Sequence, residues 1–299
     1  MTFARRDQRS RKRGANHTGA CGILAAMATG EVRSRTNSPL RVAATKVPLI
    51  TAWFWIAKVA STGMGEAVAD YVYLRFGTAV TIAFGSILLI SALALQFAVR
   101  RYLTWVYWFA VAAVAVTGTE AADGLHIVIG LPYWQTTCLY AFCLAVVFVA
   151  WYLTEGTLSI HSITTWRREL FYWATVMATF ALGTALGDLT AVTLHIGFFG
   201  SAVLFLAVIA IPLVAHWKLG MNSVLAFWFA YTITRPLGAS IADWLGVPHS
   251  LGGLDWGRGV VAIVLLVPVV AAVAYMAITG VDRPGGGLPE QAGPRHRAA

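Results

Sequence analysis

Residues 54–70 read FWIAKVASTGMGEAVAD, and the same frame returns as YWFAVAAVAVTGTEAAD at 107–123, YWATVMATFALGTALGD at 172–188 and FWFAYTITRPLGASIAD at 227–243. Each copy opens on an aromatic residue followed by tryptophan, carries a glycine five residues before its end, and closes on aspartate behind a small residue. The key positions are Trp55, Gly65 and Asp70; Trp108, Gly118 and Asp123; Trp173, Gly183 and Asp188; and Trp228, Gly238 and Asp243. Asp-to-Asp spacings of 53, 65 and 55 residues make this a tandem internal repeat. All four copies lie in apolar segments, where an ionisable side chain is expensive and therefore points to a site.

The rest of the chain fits a polytopic membrane protein. Of 299 residues, 58% are hydrophobic and 12% charged, against about 25% charged in a soluble domain. Eight apolar runs, near 49–72, 78–99, 105–125, 134–154, 170–192, 196–216, 223–245 and 258–280, each reach the roughly 20 residues that cross a hydrocarbon core as a helix. Helices are required, because lipid satisfies no backbone group. The fold class is all-α: eight transmembrane helices in four parallel hairpin repeats, approximately 47–100, 101–154, 166–217 and 222–280, with the motif on the first helix of each. Residues 1–46 and 281–299 read as disordered tails, the first basic, with Met27 a candidate initiator. The net charge of +9 sits mostly in the first tail, whose expected partner is an anionic lipid surface and not nucleic acid.

Loop charge sets orientation. The basic tail, Arg100, Arg101, Arg167, Arg168, Lys218 and Arg283 fall on one side, and only Arg75 and Arg258, at helix ends, on the other. The positive-inside rule places both termini in the cytoplasm of a cell that keeps this chain in its plasma membrane, the inner membrane in a bacterium. Trp to Asp then spans about 22 Å outward. Gly65 with Ala69, Gly118 with Ala122, Gly183 with Gly187, and Gly238 with Ala242 form small-xxx-small pairs. These let helix backbones approach closely, so the first helices of the repeats are expected to meet in a central bundle.

Asp70, Asp123, Asp188 and Asp243 have two readings. They either lock helices in register, or converge as quasi-equivalent carboxylates that bind a cation or relay protons. Glu66 and Glu120 stand four and three residues before their aspartates, on the same helix face, and are expected to tune such a site. Lys58 and Arg235 lie at mid-helix depth as internal counter-ions, each paired with an acid of a neighbouring repeat, and Pro236 after Arg235 favours a kink. His126, His195 and His249 lack the short spacing of a metal motif and read as loop residues, leaving any metal unknown. Trp55, Trp108, Trp173 and Trp228 read as interface anchors or bundle packing, and Trp134, Trp151, Trp217 and Trp256 as an interfacial belt. Cys21, Cys138 and Cys143 give no metal or disulfide pattern. No cofactor is implied.

Catalytic signatures are missing. Ala185-Leu186-Gly187-Asp188 resembles the GxGD of intramembrane aspartyl proteases, but alanine replaces the first glycine and no second motif matches. There is no HExxH, no GxSxG and no glycine-rich phosphate loop. The chain reads as a non-enzyme.

The stretches KVPLITAWFWIAKVASTGMGEAVADY (46–71), EGTLSIHSI (155–163), FYWATVMATFALGTALGDL (171–189) and LAFWFAYTITRPLGASIADWL (225–245) resemble an uncharacterised bacterial family of multi-pass membrane proteins. That family is built from four tandem two-helix repeats of unknown function. The likeness covers about residues 46–280 and implies fold and topology, with no chemistry attached. In the EGTLSIHSI loop, Glu155 and His161 form either an inner gate and proton inlet or, through the neighbouring hydroxyls, a helix cap. The best functional expectation is a transporter of a small cation, proton-coupled or not. The alternative is a membrane scaffold or sensor whose carboxylates only lock packing.

Overall fold

A computed structural model describes residues 45–284; the greater part of both expected tails lies outside the described residues. Eight long helices follow one another: α1 Ala52–Phe76, α2 Thr78–Ala98, α3 Thr104–Ile127, α4 Tyr133–Glu155, α5 Trp166–Asp188, α6 Gly197–Leu219, α7 Ser223–Gly246 and α8 Arg258–Thr279. A π turn, Leu189–Thr193, extends α5, and no strand occurs among the described residues. Six of the helices are long and apolar enough to cross a membrane. The other two, α1 and α7, are as long (25 and 24 residues) but carry buried charges at mid-helix, Lys58 and Glu66 on α1 and Arg235 on α7.

Local chemistry sets the ends. Thr51, Thr165 and Asn222 cap α1, α5 and α7 by accepting backbone N–H bonds with their side-chain oxygens. The helices α4, α6 and α8 stop where Gly156, Gly220 and Gly280 turn left-handed.

The four motif helices close into a ring in which α1 touches α3 and α7, and α5 touches α3 and α7. The repeat glycines make the ring possible. A Cβ on Gly65 would strike Ala115 of α3, one on Gly118 Phe180 of α5, one on Gly183 Arg235 of α7, and one on Gly238 Thr62 of α1. Every struck residue sits three positions before the glycine of its own copy, so the ring repeats one register four times. In lipid no hydrophobic force drives helices together, and such close backbone approach supplies the dispersion contact that does.

The opening aromatic of each copy obeys the same rule. Phe54 packs on Trp108 at 5.6 Å, Tyr107 on Trp173 at 5.7 Å, Tyr172 on Trp228 at 6.1 Å, and Phe227 on Trp55 at 5.9 Å between ring centres. Offset and tilted aromatic pairs contribute about 0.5–1.5 kcal/mol each beyond area. The tryptophans therefore serve bundle packing. Trp151, expected in an interfacial belt, is fully buried against Trp228 and Phe171, whereas Trp134, Trp217 and Trp256 are exposed.

The second helices form an outer layer. In the apolar windows of α3 and α5, 67% of residues are buried, against 17–28% in α2, α4, α6 and α8. Each outer helix packs chiefly on the next copy's inner helix: α2 on α3, α4 on α5, α6 on α7, and α8 back on α1. The repeats are thus interlocked, and the self-contained hairpin expected from sequence is not the packing unit.

At the Trp end the chain is fastened shut. The backbone N–H of Lys46 donates to the Ile163 carbonyl at 3.1 Å and that of Leu49 to the Asp282 carbonyl at 2.9 Å, so both ends of the described chain meet there. Lys46 Nζ pairs with buried Glu169 at 2.6 Å, and Gln96 donates to the same carboxylate at 2.9 Å. Within the EGTLSIHSI loop, Ile160 and Ile163 are buried and the Leu158 carbonyl accepts from Trp228 Nε1 at 2.9 Å. Glu155 pairs with Arg168 at 2.8 Å, which also donates to the Ser162 carbonyl.

Candidate functional site

Aligning the copies on their glycines stacks four layers on the ring axis, about 6 Å apart. Seven positions before the glycine stand Lys58, Val111, Val176 and Tyr231; three before it, Thr62, Ala115, Phe180 and Arg235; one after it, Glu66, Thr119, Thr184 and Ala239; five after it, the aspartates. The scaffold is fourfold, but its axial side chains are not.

Arg235 and Glu66 occupy the middle, both buried. Arg235 Nη2 donates to Glu66 Oε2 at 2.6 Å and to the Thr119 hydroxyl, and Nη1 donates to the Thr62 carbonyl at 3.2 Å. Glu66 Oε2 also accepts from Thr119 at 3.0 Å and Thr184 at 3.4 Å. One carboxylate oxygen and one guanidinium thus join α1, α3, α5 and α7. Arg235 thus pairs with Glu66 of the first repeat, and α7 runs unbroken through Pro236, without the break that a proline favours.

One layer nearer the Asp end, Arg258 bridges two of the aspartates, donating through Nη1 to Asp243 and lying 3.0 Å through Nη2 from Asp70. Oxygens of Glu66, Asp70 and Asp243 lie within 4.8 Å of one another. Sequence reasoning took Arg258 for an ordinary helix-end charge. It opens α8, and α8 packs on α1, which delivers its side chain to the seam between the first and last repeats. The one available signal was positional: the other outer helices begin with Thr78, Tyr133 and Gly197.

Asp123 and Asp188 are partly exposed and have no hydrogen bond or ion pair among the described residues. Asp188 lies within electrostatic reach of Asp123, and both lie within reach of Glu66, Asp70 and Asp243. The four aspartates therefore share one end of the ring, but only Asp70 and Asp243 are drawn together.

Glu120 departs from expectation. It stands two residues after its glycine where Glu66 stands one after, and that 100° step turns it off the axis. Its carboxylate lies against Gly85 of α2, where any Cβ would collide with it, and Oε1 has no partner. With Asp123, Thr78 and Thr81 it lines a cavity of about 70 Å³.

Lys58 meets no acid. Its buried Nζ sits 3.7 Å from the centre of the Phe180 ring and 4.1 Å from that of Tyr231, with no hydrogen-bond partner. The expected pairing with a neighbouring carboxylate is absent from the geometry. The histidines stitch loops: His126 Nδ1 meets the Leu131 carbonyl at 2.8 Å and His249 Nδ1 that of Gly253 at 2.8 Å, while His195 occupies a left-handed position with φ 56°.

Four consecutive segments, 53–102, 106–157, 171–221 and 226–281, match a family model described as Repeat of Unknown Function (DUF347), and together they cover most of the chain. Comparison with curated proteins gives no match, and comparison with solved structures gives none either.

Proposed function

The chain belongs to the DUF347 repeat family, and we propose that it is a transporter of a small hard cation, proton-coupled, working at the seam between its first and last repeats. One observation carries this. Six acids (Glu66, Asp70, Glu120, Asp123, Asp188 and Asp243) stand in the four motif segments against two bases there, Lys58 and Arg235, with Arg258 reaching in from α8 as a third. Three more acids than bases gather there, and close-packed carboxylates favour a proton or a bound cation that makes up the balance. The three oxygens of Glu66, Asp70 and Asp243 are a hard, all-oxygen donor set, suited to sodium, magnesium or manganese.

In this reading all eight helices span the plasma membrane, with the Trp end and both termini on the cytoplasmic side. The meeting of Lys46 and Leu49 with Ile163 and Asp282 supports an even number of crossings. The Trp end is closed by the aromatic ring and the EGTLSIHSI loop, and the Asp end is the open one. Arg258 occupies the carboxylates as an internal cation, and a transported ion takes its place. The protein performs no covalent chemistry and uses no cofactor; its partners are the bilayer, the cation, and anionic lipid at the basic tail.

The Arg235–Glu66 network favours a second reading for those two residues alone, because it ties all four inner helices as a scaffold would. A cation-dependent melting curve separates the two. Purified protein titrated with sodium, potassium, magnesium and manganese is expected to gain stability with one class of ion, and to lose that gain on Asp70→Asn or Asp243→Asn. A melting temperature indifferent to all four ions in the wild type refutes the cation site and leaves the scaffold.

A further inference from the structure

The outer helices cover the ring tryptophans by a common plan, and α6 departs from it. Trp228 of α7 is covered by Trp151 and Phe148 of α4, with ring centres 5.8 and 5.3 Å away. Those two stand five and eight places before Gly156, where α4 ends. Counted back from Gly220, where α6 ends, the same places hold Ala215 and Pro212. In α8 the fifth place before Gly280 is again a large ring, Tyr275, 4.4 Å from the ring of Trp53. One copy further round the ring from Trp228, the tryptophan left to α6 is Trp55. It is only half-buried, whereas Trp108, Trp173 and Trp228 are buried.

Two cavities adjoin at this gap, both lined by Trp55 and Val59. The larger, of about 650 Å³, lies among α1, α6, α7 and the loop at 158–161, and Pro212 is in its wall. The other, of about 470 Å³, reaches Gly63 and Gly238, where the backbones of α1 and α7 meet, and has Leu265 of α8 on its far side. From Ile50 to Gly63 the groove follows the chain for about 20 Å, against about 15 Å for the half of a hydrocarbon core that one leaflet fills. Leu206 and Leu213 on its α6 rim are exposed, so it opens sideways to lipid.

Hydroxyls and imidazoles line the groove only at the Trp end, at Ser159, His161, His216 and Ser223. The two serine hydroxyls and His161 have no hydrogen-bond partner among the described residues. Burial holds His161 below its ordinary pKa, so at neutral pH its ring is uncharged and donates one N–H. His216 Nδ1 meets the Met221 carbonyl at 2.7 Å, and a carbonyl only accepts, which leaves Nε2 as an acceptor. No carboxylate lines either cavity, and Lys218 stands two residues past His216.

We propose that this groove binds one acyl chain of an anionic glycerophospholipid with a hydroxylated head, of the phosphatidylglycerol kind, from the leaflet at the Trp end. The phosphate diester accepts from Ser159, Ser223 and His161, Lys218 at the same helix end offsets its charge, and a head hydroxyl donates to His216 Nε2. A chain moving from bilayer to groove gains no hydrophobic free energy, because both surroundings are apolar. Dispersion contact with fixed walls holds the chain, and the head decides which lipid stays. The bound chain fills beside Trp55 the place that Trp151 and Phe148 fill beside Trp228, and so covers the α1–α7 seam. Binding is read without flux, so it stands or falls apart from the transport reading.

The test is native mass spectrometry of the full-length protein, stripped of lipid in detergent and titrated with phosphatidylglycerol or phosphatidylcholine. Wild type is expected to retain one phosphatidylglycerol at a concentration at least about tenfold below that needed for phosphatidylcholine. Ala215→Trp places the α4 ring in the gap and should abolish this first binding event. The double variant His161→Ala, His216→Ala changes only exposed side chains and should cut the preference at least about fivefold. Melting curves of the same samples establish which variants are folded; should Ala215→Trp not fold, the histidine variant decides. Wild type that retains no lipid, or both lipids equally, overturns the site and leaves ordinary bilayer contact. So does a phosphatidylglycerol preference left intact in either folded variant.

Discussion

Removing either side of the Arg235–Glu66 pair should be far more damaging than removing both. In Arg235→Met, Glu66 stays buried and keeps only the hydroxyls of Thr119 and Thr184. It loses a charged bond of 2.6 Å whose net worth is about 1.5–3 kcal/mol. The Thr62 carbonyl and the Thr119 hydroxyl lose their donor as well. An uncompensated buried charge of this kind costs about 3–5 kcal/mol. At roughly 2–4 °C per kcal/mol for a chain of this size, the melting temperature should fall by about 6–20 °C. Glu66→Leu should cost as much, by stranding the guanidinium. The double variant, which replaces the pair with apolar groups of similar volume, should return to within about 1 kcal/mol of the wild type. That leaves a coupling energy of about 5 kcal/mol or more. Thermal melts followed by tryptophan emission in one detergent measure all four corners of the cycle. Single variants that each melt within about 1 kcal/mol of wild type would show that this network does not hold the ring.

Four further outcomes follow from the geometry. On α3, Gly118→Ala should destabilise by about 1–3 kcal/mol because its Cβ strikes Phe180. Gly124→Ala on the same helix has nothing within 4 Å and should gain up to about 1 kcal/mol in the same melts. Arg258→Gln frees Asp70 and Asp243 from their internal cation, and calorimetric titration with manganese should show binding tighter by at least about tenfold. Glu120→Gln, turned towards Gly85 and away from the axis, should leave the cation melting shift unchanged, whereas Asp243→Asn abolishes it. Trp228→Phe removes the bond to the Leu158 carbonyl at a cost of about 1 kcal/mol, and limited proteolysis should then cut within residues 155–163 faster than in wild type.

The repeat frame made much of this architecture legible in advance. Glycine at one register in four apolar helices has one economical explanation, mutual close approach, and the ring closes through those glycines. The aromatic–Trp pair was legible as packing but not as a second ring, because nothing in a single copy says that Phe54 reaches Trp108 and not its own neighbour. The site was read only in part, and the errors have physical causes. Spacing to the aspartate puts Glu66 and Glu120 on one kind of face, but orientation is set by the contact ridge; counted from the glycine, the two acids differ by one residue and face different neighbours. A buried cation usually has an acid beside it, but the rings that hold Lys58 come from α5 and α7, invisible to spacing along α1. Arg258 lies outside the repeated frame altogether, and only the wrap of α8 onto α1 brings it to the aspartates.

That wrap explains why the charges are where they are. A strictly fourfold axis places four like side chains in every layer, so any ionisable residue on it meets three copies of itself at close range, an arrangement that a low dielectric penalises heavily. Divergence in three of the four axial layers removes the conflict there, while the glycines and aromatic pairs, which face the neighbouring helices, keep the ring; only the aspartate layer stays fourfold. Lys58, Glu66 and Asp70 lie on α1, Arg235 and Asp243 on α7, and Arg258 on the helix that clasps α1. The paired charges thus concentrate on the α1–α7–α8 seam, the one place where the ring is closed by chain ends that are distant in sequence. Asp123 and Asp188, on the continuous α3–α5 side, keep the repeat register but pair with no base among the described residues. A ring that must loosen to exchange an ion would do so at this seam, where α7 meets α1 with no short loop between them. A disulfide-forming pair introduced across α1 and α7 should therefore block cation exchange in liposomes, and the same crosslink across α3 and α5 should not. Equal inhibition by both crosslinks would refute motion at the seam.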